Sequence, residues 1–327
     1  MPELRQDIIA GRWVIIATNR AKRPDMMSIQ RVSTVTKEKS CPFCEGHEIL
    51  TPPEIDSIRL NGSKSDEDGW RVRAVPNKYP AFGQDGDLIE ESFYGLKAAD
   101  GHHEVIIHTP EHSTGLGELS VEQVDLILSL YRKRYLAMSE DPNIKSTLVI
   151  VNHGREAGAS LEHSHSQLFA MPMIPTEIKL EYDSFDGHIK ENGDCVFCDL
   201  ITHEQTAKIR VVAENERFIA FCPYASRVPF ETWILPKDHL GAFELSNDET
   251  IMSCSEILQS VLEKLKVKLN DPPFNYWIHT RPAGQGDFHW HIEILPKLSV
   301  AAGFEMGTGI MINVVKPEDA ADYLRTK

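Results

Sequence analysis

The sequence is poor in cysteine and has no long hydrophobic run. Only six cysteines occur among its 327 residues, which is too few for a disulfide scaffold in a chain of this size. Nowhere do eighteen apolar residues follow one another, and no apolar run follows a basic start at the N-terminus. We therefore expect a soluble, cytoplasmic protein without a membrane partner.

Positive charge is also scarce. The chain has 34 lysines and arginines against 49 aspartates and glutamates, which gives a formal net charge of -15. General binding to nucleic acid or to an anionic membrane depends on clustered basic residues, so this composition argues against nucleic acid as a partner. An anionic substrate would instead have to meet a local positive site.

The few cysteines are not scattered. Four of them form two Cys-x-x-Cys pairs, Cys41/Cys44 and Cys195/Cys198. A tight turn of this kind supplies two thiolates to one metal ion, so metal binding is the favoured interpretation. The remaining two, Cys222 and Cys254, are predicted to be small buried apolar residues.

The order of these features occurs twice along the chain. The first half contains Cys41-Pro-Phe-Cys44, then His112, then His163-Ser-His165, and the second contains Cys195-Val-Phe-Cys198, then His239, then His289-Trp-His291. The spacing between the middle histidine and the histidine pair is almost identical in both halves. Arg71 and Phe82 of the first half also recur in the second half as Arg210 and Phe221, both displaced by the same number of positions along the sequence. This repetition predicts an internal duplication.

Each copy is predicted to consist of strands, one helix and further strands. The helices are expected at about residues 121–138 and 247–268, behind capping boxes formed by Ser120 with Gln123 and by Ser246 with Glu249. Short connections favour antiparallel pairing, so the predicted class is α+β, with two tandem repeats joined in one pseudo-symmetric unit. The expected divisions are a first repeat at 1–176, a connection at 177–194, a second repeat at 195–297, and a tail at 298–327 with a short helix from Pro317 to Arg325.

Each copy also contains a complete set of four metal ligands. Zinc prefers tetrahedral nitrogen and sulfur donors, and the predicted sets are Cys41, Cys44, His112 and His163 in the first copy, and Cys195, Cys198, His239 and His289 in the second. Four protein ligands leave no open position for water, so both zinc ions are assigned a structural role. His279, His291 and Glu181 are alternative ligands of the second site.

The segment from Asn152 to Gln167 contains the predicted catalytic centre. Gly158 allows close backbone approach, while Asn152 and Ser160 can donate hydrogen bonds to phosphate oxygens. Side chains alternate along a strand, so His163 and His165 point to the same face. His163 can therefore hold metal while His165 projects into the phosphate pocket. A neutral imidazole in such a pocket is a competent nucleophile toward phosphorus.

This segment resembles the active-site strand of the galactose-1-phosphate uridylyltransferase branch of the histidine-triad superfamily. The resemblance extends over nearly the whole chain and includes Asn19-Arg20-Ala-Lys-Arg23-Pro24 and Gly303-Phe304-Glu305. It implies histidine-triad-like repeats and a homodimer that shares residues between active sites. It also implies that His165 becomes nucleotidylated, with Gln167 and Ser160 assisting. The implied substrate contacts are Arg20, Arg23, Asn77, Asn152, Gly158, Lys297, Phe304 and Glu305.

The resemblance leads to three hypotheses for function. The first is UDP-glucose:hexose-1-phosphate uridylyl transfer by a ping-pong mechanism, acting on a sugar nucleotide and a sugar 1-phosphate. Gln167 favours transfer, because related hydrolases have a third histidine at that position. The second is ADP-glucose phosphorolysis through the same histidine, since Ser164 between the paired histidines resembles that group. The third is a zinc-binding module without catalysis.

Overall fold

The computed structural model describes residues 1–22, 41–59, 62–83, 93–112 and 115–326, without the side chain of Lys22. Arg23, which was predicted to contact phosphate, lies outside the described residues. Within these ranges, no helix combines the length and the apolar character needed to cross a membrane.

The fold is a mixed α+β structure built on two sheets. In chain order its elements are β1 (Glu3–Gln6), β2 (Trp13–Ile16), β3 (Asp56–Arg59), β4 (Trp70–Pro76), β5 (His102–Ile107), α1 (Val121–Ser139), β6 (Ser146–His153), β7 (His165–Met171), α2 (Thr176–Asn192), α3 (Val196–Ala207), β8 (Val211–Glu214), β9 (Phe218–Phe221), β10 (Thr232–Pro236), α4 (Asp248–Leu269), β11 (Phe274–His279), β12 (His291–Pro296), α5 (Gly303–Thr308), β13 (Met311–Asn313) and α6 (Pro317–Arg325).

The larger sheet has ten antiparallel strands in the order β3-β4-β5-β7-β6-β11-β12-β10-β9-β8. Read outward from the central β6–β11 pair, the two halves have the same connectivity. Helices α1 and α4 pack against each other, and their apolar sides share one large core with the sheet. Leu168 of β7 belongs to that core, so its neighbour Gln167 points to the opposite face.

The two long helices agree with the predicted ranges to within one residue at each end. The predicted capping box of α1 is confirmed in part: the Ser120 side chain accepts a hydrogen bond from the Gln123 N–H, but the Gln123 side chain donates to the carbonyls of Arg71 and His108 instead of returning to Ser120. The predicted cap of α4 is wrong. Asn247 caps this helix by accepting from the Thr250 N–H, while the Ser246 N–H closes the preceding 3-10 turn. The predicted C-terminal helix is confirmed as α6.

The fixed sequence offset does not identify equivalent strands. Arg71 lies in β4, an inner strand, whereas Arg210 precedes the edge strand β8. Phe82 lies outside any strand, although Phe221 ends β9. The segment expected to be a connection forms helix α2, whose Phe185 packs into the core of the second half.

The smaller sheet joins the two ends of the described chain. Strand β2 pairs with β1 in antiparallel orientation and with β13 in parallel orientation. This pairing places the segment after β2, which contains Arg20, beside the C-terminal strand.

Candidate active site and metal centres

The first predicted ligand set is brought together in the structure. The ligand atoms of Cys41, Cys44, His112 and His163 all lie within 4.8 Å of one another. The Cys44 sulfur lies 3.3 Å from His112 Nδ1, and the sulfurs of Cys41 and Cys44 lie 3.6 and 3.7 Å from His163 Nδ1. Tetrahedral bonds of zinc to sulfur and nitrogen imply ligand separations of about 3.5 Å. The residues therefore fit a tetrahedral metal ion.

The second predicted set has the same geometry. The ligand atoms of Cys195, Cys198, His239 and His289 also lie within 4.8 Å of one another. The sulfurs of Cys195 and Cys198 both lie 3.6 Å from His289 Nδ1, and Cys198 lies 3.5 Å from His239 Nδ1. The His239 ring is oriented by Asp287, which lies 2.6 Å from Nε2. Such outer contacts fix the ring nitrogen that faces a metal.

The alternative ligands of the second site form a group of their own. Glu181, His279, His291 and Glu293 are all buried, and their ligand atoms lie within 4.8 Å of one another. Glu181 accepts a hydrogen bond from His279 Nδ1 at 2.7 Å, and Glu293 is paired with Arg227 at 2.6 Å. None of the four belongs to the cluster of Cys195 and Cys198.

The first metal group is linked directly to the predicted nucleophile. His163 Nε2 donates to the Thr109 carbonyl at 2.8 Å, which leaves Nδ1 to face the thiols. The carbonyl of His163 accepts a hydrogen bond of 2.8 Å from His165 Nδ1. A metal on His163 would thus hold the strand that orients His165, as predicted for a structural rather than a catalytic ion.

His165 is positioned to present one ring nitrogen to a substrate. With the Nδ1 proton bonded to the His163 carbonyl, the lone pair of the neutral ring lies on Nε2. Burial lowers the pKa of His165, although the hydrogen bond to the backbone opposes this shift. The residue is 8% exposed, and its ring meets the Phe43 ring edge-on at a centroid distance of 5.2 Å. This is a nearly enclosed, neutral imidazole with an available lone pair.

Gln167, two residues after His165, belongs to a polar trio. Its Oε1 lies 2.8 Å from His103 Nε2 and 3.4 Å from Asn77 Nδ2. The two residues with predicted roles, Gln167 and Asn77, are therefore adjacent. His103 was missed because it belongs to no sequence motif, and only the pairing of β5 with β7 brings it to Gln167.

The serine between the paired histidines also has a structural partner that the sequence did not reveal. Ser164 Oγ lies 2.9 Å from Nδ1 of His108, whose Nε2 lies 2.8 Å from the Tyr131 hydroxyl. Burial holds the pKa of His108 well below its usual value. Ser164 thus connects the catalytic segment to the core through a neutral histidine.

The predicted phosphate pocket lies at the adjoining end of β6. Asn152 is in β6 beside β7, and its Oδ1 accepts a hydrogen bond of 2.7 Å from the Asn275 side chain. Gly158 ends the following 3-10 turn with φ of +93°, a conformation that side chains other than glycine rarely adopt. Ser160 is exposed a short distance further along. Lys297 directly follows β12. The last residue of β12 pairs with the first residue of β11, which in turn pairs with the last residue of β6, so Lys297 lies toward the same end of the sheet.

The other predicted substrate contacts lie in a separate cavity of about 240 Å³. Arg20, Phe304 and Glu305 line it, together with residues of β13. Among the described residues, its lining contains none from β7. The structure therefore separates Arg20, Phe304 and Glu305, which lie beside the small sheet, from Asn77 and Asn152, which lie beside β7.

Two family models match the chain. The model described as the N-terminal domain of galactose-1-phosphate uridyl transferase matches residues 1–175. A model described as a domain of unknown function matches residues 100–327.

Two of the relatives that align with almost the full chain carry different activities in their names. ADP-glucose phosphorylase from Arabidopsis thaliana is 36% identical in a match that covers 99% of this chain and 92% of that protein. Galactose-1-phosphate uridylyltransferase from Thermotoga maritima is 29% identical, with coverage of 99% and 98%.

Solved structures give the same pair of similarities. The crystal structure of the Arabidopsis thaliana ADP-glucose phosphorylase with bound ADP-glucose has a TM-score of 0.85 at 34% identity and covers 100% of this chain and 99% of that chain. A structure of uridylyltransferase has a TM-score of 0.78 at 26% identity, with coverage of 99% and 97%.

Proposed function

Because this chain belongs to the galactose-1-phosphate uridylyltransferase family, whose enzymes are nucleotidyltransferases, we propose that His165 accepts a nucleotidyl group from a sugar nucleotide. The observation that carries this proposal is the His165 ring itself. Its Nδ1 proton is committed to a backbone carbonyl, and Gln167 and Asn77 lie on the same side of the sheet. The two neutral amides beside the ring, rather than the backbone bond alone, favour catalysis over a module that only binds metal.

The reaction follows from the free lone pair on His165 Nε2. This nitrogen attacks the α-phosphorus of the sugar nucleotide, the bond from phosphorus to the bridging oxygen breaks, and the hexose 1-phosphate leaves with the electron pair. The ring retains its Nδ1 proton and becomes a cationic phosphoimidazole. An oxygen of the acceptor phosphate then attacks phosphorus, the phosphorus–nitrogen bond breaks, and the electron pair returns to Nε2.

Two donors are supported by separate observations. ADP-glucose, with inorganic phosphate as the acceptor, is favoured by the 36% identity to an ADP-glucose phosphorylase and by Ser164 between the paired histidines. UDP-glucose, with a hexose 1-phosphate as the acceptor, is favoured by the family model and by the Thermotoga maritima relative. We place ADP-glucose first, which reverses the order expected from the sequence.

The mass of the intact protein after incubation with each donor, without acceptor, distinguishes these candidates. We expect the mass of one adenylyl group to be added by ADP-glucose and removed by inorganic phosphate. A uridylyl adduct that moves to galactose 1-phosphate would support the second donor instead. His165→Ala should form neither adduct and should lose turnover by a factor on the order of 10⁶, the scale seen when an enzyme loses its nucleophile. Adduct formation by this variant would refute the role of His165.

We also propose zinc at both Cys/His groups and a tandem arrangement of two histidine-triad-like repeats, divided as expected from the sequence. The ligand separations support the zinc proposal, and the matched strand order of the two half-sheets supports the repeats. The group of Glu181, His279, His291 and Glu293 is left out of the zinc proposal because its carboxylates are already paired.

The separate cavity supports a homodimer in which one chain completes the active site of the other. Arg20, Phe304 and Glu305 lie together but apart from β7, so a second copy can bring them to His165. Mixing His165→Ala chains with Arg20→Ala chains tests this arrangement. Recovery of activity on mixing is the expected result, whereas two variants that stay inactive together would contradict it.

A further inference from the structure

A buried histidine lies beside the candidate active site without belonging to any predicted set. His103 is in β5, is 8% exposed, and stacks on the Phe169 ring at a centroid distance of 4.1 Å. It pairs across the sheet with Phe169, two residues beyond Gln167, whereas His165 lies two residues before Gln167. Gln167 therefore lies between His103 and the nucleophile.

The backbone fixes which nitrogen of His103 carries the proton. The Ala81 N–H donates to His103 Nδ1 at 3.0 Å, so Nδ1 must be the unprotonated nitrogen. Burial lowers the pKa of His103, although its bond to Gln167 opposes this shift, and the neutral ring is favoured. A neutral ring that accepts at Nδ1 carries its hydrogen on Nε2.

That hydrogen in turn fixes the side-chain amide of Gln167. His103 Nε2 lies 2.8 Å from Gln167 Oε1 and donates to it. Asn77 is the third member of the group: its Oδ1 accepts from the Tyr79 N–H, and its Nδ2 lies 3.1 Å from His103 Nε2 and 3.4 Å from Gln167 Oε1. With His103 Nε2–H directed at Oε1, the NH₂ group of Gln167 is turned away from His103 and is left to meet a ligand on the face of the sheet that Gln167 shares with His165.

We propose that His103 is a positioning residue that locks the amide of Gln167 with its NH₂ group directed at the phosphoryl oxygens of the nucleotide on His165. The inference rests on the proposed function. A flipped amide would direct a carbonyl oxygen at the phosphate and would place two donors, His103 Nε2–H and the amide NH₂, against each other. His103 thus acts on the reaction only through Gln167.

The test is a double-mutant cycle on the rate of adduct formation by the holoenzyme with ADP-glucose and with UDP-glucose. Gln167→Ala removes the donor and should slow the reaction by about 10²- to 10³-fold. His103→Ala should slow it by about tenfold or more, with KM little changed, because the lost interaction acts in the transition state. In the Gln167→Ala background, His103→Ala should cause no further loss.

Two matched substitutions separate positioning from packing. In His103→Gln the side-chain NH₂ group reaches the position of Nε2 and can still donate to Gln167. In His103→Asn the shorter side chain reaches only the position of Nδ1. His103→Gln should therefore recover most of the rate and His103→Asn should not. His102→Ala serves as the control in the same strand, since the His102 ring contacts Asp141 on the other side of the strand. It should react at the wild-type rate.

The outcomes distinguish the inference from the proposed function. Adduct formation in the wild type with independent, multiplicative losses from the two alanine variants would overturn the role of His103 alone. Equal rates for the glutamine and asparagine variants, at unchanged metal content and melting temperature, would overturn it as well. A wild type that forms no adduct with either donor would overturn the proposed function and this inference together.

Discussion

The two halves of the ten-stranded sheet place a histidine at the same point of an inner strand but surround it differently. His165 begins β7 and His291 begins β12, and in each case Nδ1 bonds to the carbonyl two residues earlier, at 2.8 and 3.1 Å. His165 is 8% exposed, whereas His291 is 0% exposed. The same local structure therefore gives one histidine that retains a small exposed area and one that is fully buried.

The surrounding polar residues correspond by strand register. The matched pairs are Gln167 with Glu293, Val105 with Trp233, and His103 with Glu231. In the first half the polar trio is completed by Asn77, and in the second by Arg227. A neutral hydrogen-bonded trio in one half is thus an ionic trio in the other.

The ionic trio is incompatible with a bound phosphate. Arg227 donates to both Glu231 and Glu293 at 2.6 Å. Burial by itself would raise the pKa of Glu293, but the Arg227 guanidinium holds it well below its usual range. A charged carboxylate repels the phosphate that an amide at this position could bind. In addition, Glu181 of α2 bonds to His279 over the same face.

The local structure around the two histidines does not by itself distinguish the half that we propose to be catalytic from the other half. Both halves have the four-ligand Cys/His group and the backbone bond to the following histidine. They differ in the exposure of the histidine and in the charge of its polar partners. The proposed chemistry requires neutral donors beside the histidine, and of the two described groups only the one in the first half is neutral.

The largest contrast is expected when each metal group is broken in turn. Cys41→Ser should lose one metal ion and slow adduct formation by about 10- to 100-fold, because His163 orients His165. Cys195→Ser should also lose one ion and should lower the melting temperature by about 5 °C or more, yet leave adduct formation close to wild type. Metal analysis, calorimetry and the mass assay provide the measurements.

Equal effects of these two substitutions on adduct formation would contradict the assignment of the two halves to different roles. A melting temperature unchanged by Cys195→Ser would contradict a structural metal in the second half. Cys222→Ser serves as a control for loss of a buried thiol, because Cys222 is fully buried and belongs to neither group.

A smaller effect, confined to stability, is expected from the ionic trio. Arg227→Met leaves Glu231 and Glu293 as buried charges without their partner, which should destabilise the fold by about 3–5 kcal/mol. Arg227→Lys keeps the positive charge but lacks the planar guanidinium that bonds to both carboxylates, so it should destabilise the fold less than Arg227→Met. Denaturant unfolding measures both values. Adduct formation by folded protein should not change, and a large loss of rate would show that the two sites are coupled.

The sequence predicted those features that depend on local pattern. Helix limits followed from apolar spacing and from caps such as Ser120, and both metal groups followed from Cys-x-x-Cys turns with matched histidines. A second cap was misplaced by one residue because Ser246 and Asn247 are adjacent and both suit the position. Repeated spacing alone did not align the strands, since loop lengths differ between the halves.

The sequence could not reveal contacts that depend on strand register or on the assembly of distant segments. His103 and Gln167 are separated by 64 positions and meet only because β5 pairs with β7. The pairing of Arg227 with Glu293, across 66 positions, likewise becomes visible only in the folded sheet. The division of the predicted contacts between β7 and the cavity with Arg20 follows from the small sheet, which no motif indicated.

The smallest expected effect is the pH dependence contributed by His103. Burial lowers its folded-state pKa below 6.5, so the unfolded chain takes up a proton at a higher pH than the folded chain. The neutral His103 ring therefore costs the folded state nothing above pH 6.5. As the pH falls from 6.5 toward the folded-state pKa, the free energy of unfolding decreases by at most about 1.4 kcal/mol per pH unit. Between about pH 7.5 and 5.5, wild type should lose more unfolding free energy than His103→Gln. His102→Gln is the control for placing a glutamine in the same strand. If the free energy of unfolding has the same pH dependence in wild type and in His103→Gln, His103 is not held neutral by the fold.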